Sequence, residues 1–318
     1  MGEKLPGHKE TAMAANLKWN QQELDAELFE AVIAAEDESL VESLLGRGAD
    51  PNDRDELDRS PLHWAAMKGF AGIVRTLLES GSAPNQPDMH GFTPLHWASQ
   101  NGFPEAAQAL VDAGADPNLA TGAGSAPLHM AALCPSPAVV QILVAAGADL
   151  NACEGRGETP LHFAAQSRGQ AAADVARALL VGGAAPNVGN RSRKSPLHLA
   201  AACGHVELVK ALLAGGAEQN IADQYGKTAL HEAAASGCED VVKALLAAGA
   251  DPSLAAKSGK TPLEAAKGRA KVFLAAFLQA LSEERDFLAC SAPAKATARC
   301  SALRATRLAP RGFRCDGR

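Results

Sequence analysis

Residues 223–253 read DQYGKTALHEAAASGCEDVVKALLAAGADPS, and this stretch decides the fold because it returns along the chain. Its phrase Thr228-Ala229-Leu230-His231 recurs as Ser60-Pro61-Leu62-His63, Thr93-Pro94-Leu95-His96, Ala126-Pro127-Leu128-His129, Thr159-Pro160-Leu161-His162, Ser195-Pro196-Leu197-His198 and Thr261-Pro262-Leu263-Glu264. Successive copies lie 33 residues apart except for one step of 36, from Thr159 to Ser195. A fixed period of this size signals a solenoid, in which each unit packs only on its neighbours and no central core has to grow. One elongated domain therefore accounts for the 318 residues better than two globular ones.

Within the unit, Thr228 is placed to cap a short helix. In five of the six other copies a Ser or Thr precedes proline, which suits the first helical position because its missing N–H would be unpaired there. After Gly237, Val241, Val242, Leu245 and Leu246 form one apolar stripe of a second helix. Gly249 then sits where a left-handed cap is inexpensive. Polar stretches such as 85–91 read as a β-turn or hairpin leading into the next unit. Paired alanines, such as Ala65-Ala66 and Ala200-Ala201, favour helix and let adjacent first helices approach closely. A lone unit cannot bury its apolar face, so the stacked array is the fold.

The TPLH phrase, the glycine between the helices and the GAD-x-N ending make the chain resemble the ankyrin repeat family over roughly residues 24–280. The expected architecture is an all-α repeat solenoid, an ankyrin array of helix-helix-hairpin units. It has about seven clear repeats plus a degenerate N-terminal cap unit carrying Leu28, Val32, Leu40, Val41, Leu44 and Leu45. The expected divisions are an N-terminal extension (1–23), the repeat domain (24–282) and a basic, disordered C-terminal tail (283–318). Val272, Phe273, Phe277, Leu278 and Leu281 are expected to form the apolar side of a closing helix. Two irregularities stand out: the insertion at 167–172, and Cys134-Pro135-Ser136-Pro137 in place of the usual glycine turn.

A net charge of -6 argues against general nucleic-acid or membrane binding. Seven cysteines without CxxC pairing, and an N-terminal stretch without an apolar leader pattern, fit a reducing compartment, cytosol or nucleus. The motif histidines recur once per repeat, whereas zinc needs about four ligands converging on one point. They read as buried imidazoles bonded to backbone in the hairpin and helix start. Asp50, Asp116, Asp149 and Asp251 are likewise dispersed and read as turn caps. With no phosphate loop, nucleophile elbow or metal motif present, no catalysis, cofactor or metal is expected.

The resemblance implies a concave groove built from hairpin tips and the exposed side of the first helices, serving as a protein–protein interaction module, a scaffold or adaptor. Carried onto matching positions, its contacts are Glu56, Met67, Met89, His90, Phe92, Leu133, Arg156, Arg191, Lys194, Tyr225 and Lys227, with Glu158 and Ser167 among their neighbours. Met67, Met89, Phe92 and Leu133 offer apolar anchors. The tip at 53–58 is acidic, whereas Arg191, Arg193, Lys194, Lys227, Lys257 and Lys260 are basic. Such a surface suits a protein partner presenting an acidic end and one or two hydrophobic anchors. Trp64, Trp97, Met130 and Phe163, which follow the motif histidines, fill the core or floor the groove. A monomer without membrane contact is expected.

Two other readings stay open: a regulatory inhibitor docking across an enzyme, and a nucleic-acid-associated factor using the tail at 291–318, where seven basic residues face Asp316 alone. Asn52, Asn85, Asn118, Asn151, Asn187 and Asn220 match a position that is hydroxylated in the family, with hairpin hydrogen bonding as their simpler role.

Overall fold

The computed structural model of the protein describes residues 8–34, 38–134, 136–167 and 171–290. These residues form helices joined by turns, with no strand among them. One row of helices comprises α1 (His8–Ala34), α3 (Pro61–Lys68), α5 (Pro94–Asn101), α7 (Pro127–Leu133), α9 (Pro160–Gln166), α11 (Pro196–Cys203), α13 (Ala229–Ser236) and α15 (Pro262–Ala265). A second row comprises α2 (Glu38–Gly46), α4 (Ala71–Glu79), α6 (Pro104–Asp112), α8 (Pro137–Ala145), α10 (Ala172–Val181), α12 (Val206–Ala214), α14 (Glu239–Ala247) and α16 (Gly268–Cys290). Each helix packs on its hairpin partner and on the next member of its own row, which is solenoid packing.

The core is one continuous band from Leu24 to Leu274. Leu62, Leu95, Leu128, Leu161, Leu197 and Leu230 repeat one buried position of the first row, and each such burial contributes roughly 1.5–3 kcal/mol. The paired alanines between them are fully buried at Ala65, Ala66, Ala164, Ala165, Ala200 and Ala201, where a larger side chain would force the first row apart.

The ends depart from expectation. Helix α1 is continuous through residue 23, and α16 is continuous through residue 282, so neither expected division coincides with a helix end. In the cap unit Val41 and Leu44 are buried while Leu40 is 37% exposed. Val272, expected in the closing helix's apolar side, is 72% exposed, and Ala270 and Leu274 are fully buried instead. With a neighbour on one side only, α16 buries a narrow i, i+4 stripe.

The expected reading of the histidines as backbone-bonded imidazoles matches their geometry, which also joins consecutive repeats. His63 Nδ1 accepts the backbone N–H of its own cap residue Ser60 (3.0 Å), and its Nε2–H donates to the Phe92 carbonyl (3.2 Å), one repeat onward. His96 likewise holds the Thr93 N–H and the Ser125 carbonyl. The same pair of bonds recurs at His129, His162, His198 and His231. The imidazole thus takes the role that Glu or Gln plays in a capping box. At the last unit Glu264 plays it directly, accepting the Thr261 N–H at 2.8 Å.

A parallel ladder runs through the asparagines. Asn52 donates to the Gly81 carbonyl (3.1 Å) and accepts the Ala83 N–H (2.9 Å), and Asn85, Asn118 and Asn187 repeat both bonds.

Burial pushes all six motif imidazoles below their ordinary value of 6.5, to about 4 for His63 and His96. The unfolded chain therefore binds protons near pH 6.5 that the folded chain refuses. These groups are stability-neutral above that value; as pH falls from 6.5 toward 4 they cost stability, and the loss levels off below the folded value. Urea midpoints measured across this range should fall with acidification on that schedule. In His96→Gln the side-chain oxygen still accepts the cap N–H while the bridge to Ser125 is lost. It should cost about 1–3 kcal/mol at neutral pH and flatten the acid slope.

Candidate functional site

The loops between repeats form tips, and five of them are closed by a leading side chain that accepts two backbone N–H groups. Asp55 Oδ1 accepts the N–H groups of Leu57 (2.9 Å) and Arg59 (3.0 Å). Asp88 does so for His90 and Phe92, Glu154 for Arg156 and Glu158, Asn190 for Ser192 and Lys194, and Asp223 for Tyr225 and Lys227. These are Asx-type turns, extended by one methylene at Glu154.

Neighbouring tips are also joined through backbone. Met89 N–H donates to the Leu57 carbonyl (3.0 Å), Gly155 to Ala123 (2.7 Å), Arg191 to Arg156 (3.0 Å), Gln224 to Ser192 (3.1 Å) and Lys257 to Tyr225 (2.9 Å). The close approach requires glycine at Gly226, whose φ is +75° and where a Cβ would stand 2.8 Å from Lys257 N.

Behind the first two tips lies an aromatic floor. Trp64 Nε1–H donates to Asp55 Oδ2 and Trp97 Nε1–H to Asp88 Oδ2, both at 3.1 Å. Arg59 pairs with Asp55 at 2.9 Å and lies 4.2 Å above the Trp64 ring. Burial works against ionisation of Asp55, but hydrogen bonds from Arg59, Leu57 and Trp64 outweigh it and hold the carboxyl below its ordinary value. Phe92 packs against Trp97 (5.2 Å between centroids) and edge-on to His96 (5.4 Å). Phe163 meets His129 edge-on at 5.1 Å, and Met130 is buried. Core filling and floor therefore divide by position: Met130 is core, while the two indoles are half-buried with their nitrogens tied.

Glu56, Met89, His90, Leu133, Arg156, Arg191 and Tyr225 are exposed, with Tyr225 at 59% and Met89 at 54%. Met67, Phe92, Lys194 and Lys227 are half-buried. Phe92 is turned into the aromatic stack, away from the role of a free anchor. Lys194 is committed to Glu232, at 2.9 Å. Glu158 is buried, accepting from Gln166 (2.8 Å) and Asn190 (3.1 Å), and Ser167 is buried as well, so neither lies on the open surface.

The closing acids Asp55 and Asp88, and the Glu232 strut, escaped sequence reasoning. An aspartate nine residues before each tryptophan was the available signal for the first two. Asp223 Oδ2 is buried without a hydrogen-bond partner among the described residues.

The two irregular connections change helix ends. Whereas α3, α5, α11 and α13 close on left-handed Gly69, Gly102, Gly204 and Gly237, α7 and α9 close on extended Cys134 and Ser167. Pro135, residues 168–170 of the insertion and the tail at 291–318 lie outside the described residues. Among the described residues, no helix is long and apolar enough to cross a membrane, and no group of three His, Cys, Asp or Glu side chains is placed to hold a metal ion.

Comparison with known proteins agrees with this architecture. A family model described as ankyrin repeats (3 copies) matches residues 28–121 and 169–256, and one described as ankyrin repeats (many copies) matches residues 110–164. The crystal structure of the human ASB11 ankyrin repeat domain is similar at 30% identity with a TM-score of 0.63, the match covering 69% of this chain and 97% of that one. The chain belongs to the ankyrin repeat family, whose repeats are generally protein–protein interaction modules and typically non-enzymatic.

Proposed function

We propose that the chain is a scaffold or adaptor, active in cytosol or nucleus, that holds a protein partner across its row of tips and the exposed side of its first helices. In this reading residues 24–282 are the binding unit. The supporting observation is a hydrogen-bonded backbone carrying side chains left in water. Each of these tips is closed from within and bonded to a neighbour, yet Leu57, Met89 and Tyr225 stand 37%, 54% and 59% exposed on it. Apolar and aromatic groups left in water on a pre-ordered frame supply contact area with little ordering cost on binding.

Affinity capture from a cell lysate, read by mass spectrometry, compares the full chain with a variant carrying Leu57→Ala, Met89→Ala and Tyr225→Ala. A partner held by the natural chain should be lost from the variant. The thermal midpoint should stay nearly unchanged, because the truncated side chains are surface groups. Retention of every captured partner by the folded variant would remove the tips from the binding site.

A further inference from the structure

The four tips at 154–158, 190–194, 223–227 and 256–260 carry acids and bases in different directions. Their acids are spent inside the protein: Glu154 and Asp223 close their own tips, and Glu158 is buried on Gln166 and Asn190. One base, Lys194, is neutralised by Glu232. The remaining bases, Arg156, Arg191, Arg193, Lys227, Lys257 and Lys260, form no ion pair among the described residues. All are exposed except half-buried Lys227. On a chain of net charge -6, these tips thus present a strip of one sign.

The opposite end differs. At the first tip Arg54 lies 3.9 Å from Asp58 and Arg59 2.9 Å from Asp55, which leaves Asp53 and Glu56 without a counter-ion among the described residues.

Resting on the interaction-module reading, we infer that this strip receives an acidic, extended segment of the partner protein, and that the sign change fixes the direction in which the segment lies. Backbone bonds from Arg191 to Arg156, Gln224 to Ser192 and Lys257 to Tyr225 make the strip continuous. With packed helices about 8–10 Å apart, three steps between tips span roughly 30 Å, which about nine extended residues cover. Tyr225, exposed among the cations, offers that segment an aromatic contact. Charge of one sign along a fixed line raises the association rate and rejects the reversed orientation, where acids would face Asp53 and Glu56.

The probe is a fluorescein-labelled peptide of about nine glutamates, followed by anisotropy with the full chain at low and at physiological ionic strength. A lysine peptide and a single-stranded DNA of the same length serve as comparisons. The glutamate peptide should bind in preference to both and weaken with salt. It should weaken about tenfold or more in a variant carrying Arg156→Glu, Arg191→Glu and Lys257→Glu. A variant with glutamine at the same three positions should fall between the two and guards against a charge-reversed protein that does not fold.

The inference is overturned by failure of the natural chain to prefer the glutamate peptide to the lysine peptide. Binding unchanged in both variants would overturn it too, by placing the peptide elsewhere, as would tighter binding of the DNA. In lysate capture, a partner that survives both charge variants but is lost with Leu57→Ala, Met89→Ala and Tyr225→Ala overturns this inference and leaves the interaction-module reading standing.

Discussion

An imidazole carries two nitrogens on opposite sides of one rigid ring, and six consecutive repeats of this protein use both. One nitrogen accepts the N–H of the residue that caps its own helix. The other donates to a carbonyl in the following repeat, that of the residue just before the next cap: Phe92 precedes Thr93, and Lys227 precedes Thr228. A solenoid has no central core to pull distant units together, so its order depends on such neighbour contacts. Packing of Leu and Ala supplies most of the stabilisation between units, but it is non-directional. The imidazole adds direction, because it fixes where the next tip ends relative to the helix beneath it. Glu264 illustrates the point from the other side. A carboxylate performs the cap half of the task and has no N–H to extend onward, and it stands in the last helix-turn unit, before the closing helix α16.

The surface inherits its character from that constraint. A tip whose far end is held by a histidine still needs its near end closed, and a short acceptor at Asp55, Asp88, Asn190 or Asp223 closes it against two backbone N–H groups. Acids are thereby drawn inward, where N–H groups satisfy them, while leaving an exposed Arg or Lys without a partner has little cost in water. Where a tryptophan follows the motif histidine, the second carboxylate oxygen takes its indole N–H and the floor becomes aromatic. Where Glu232 takes that place, it pairs with Lys194 and the floor becomes ionic. One backbone plan thus supports two chemically distinct halves.

The repeat, the helix pairs and the inward-facing histidines were legible because they follow from period and from residue type at a fixed register. Orientation at the variable positions was not. Phe92 reads as a tip anchor by position, but Trp97 offers its ring a closer apolar surface than solvent does. Lys194 reads as one of a basic run, and its ammonium is claimed by a glutamate 38 residues away, a partner no local pattern reveals. Val272 and Leu274 are both apolar and two residues apart, and only the side of α16 on which α13, α14 and α15 pack decides that Leu274 is buried. For Lys194 and Leu274 the deciding surroundings come from another repeat, and for Phe92 from the helix that follows its own tip.

The 36-residue step tests how far the neighbour contact governs the rest. The longer unit has three residues more than the others (36 - 33), and they enter between α9 and α10. His162 consequently reaches a carbonyl 32 residues ahead, whereas His63 and His96 reach 29, yet its bond to Lys194 is 2.9 Å long, no longer than theirs. The tips on either side also keep their joint, from Arg191 N–H to the Arg156 carbonyl at 3.0 Å. Extra length in the connection between two helices of one unit is therefore absorbed without disturbing the contact between units. Such an array can vary its inter-helix connections while the row of tips stays in register, which is the geometry an extended partner segment requires.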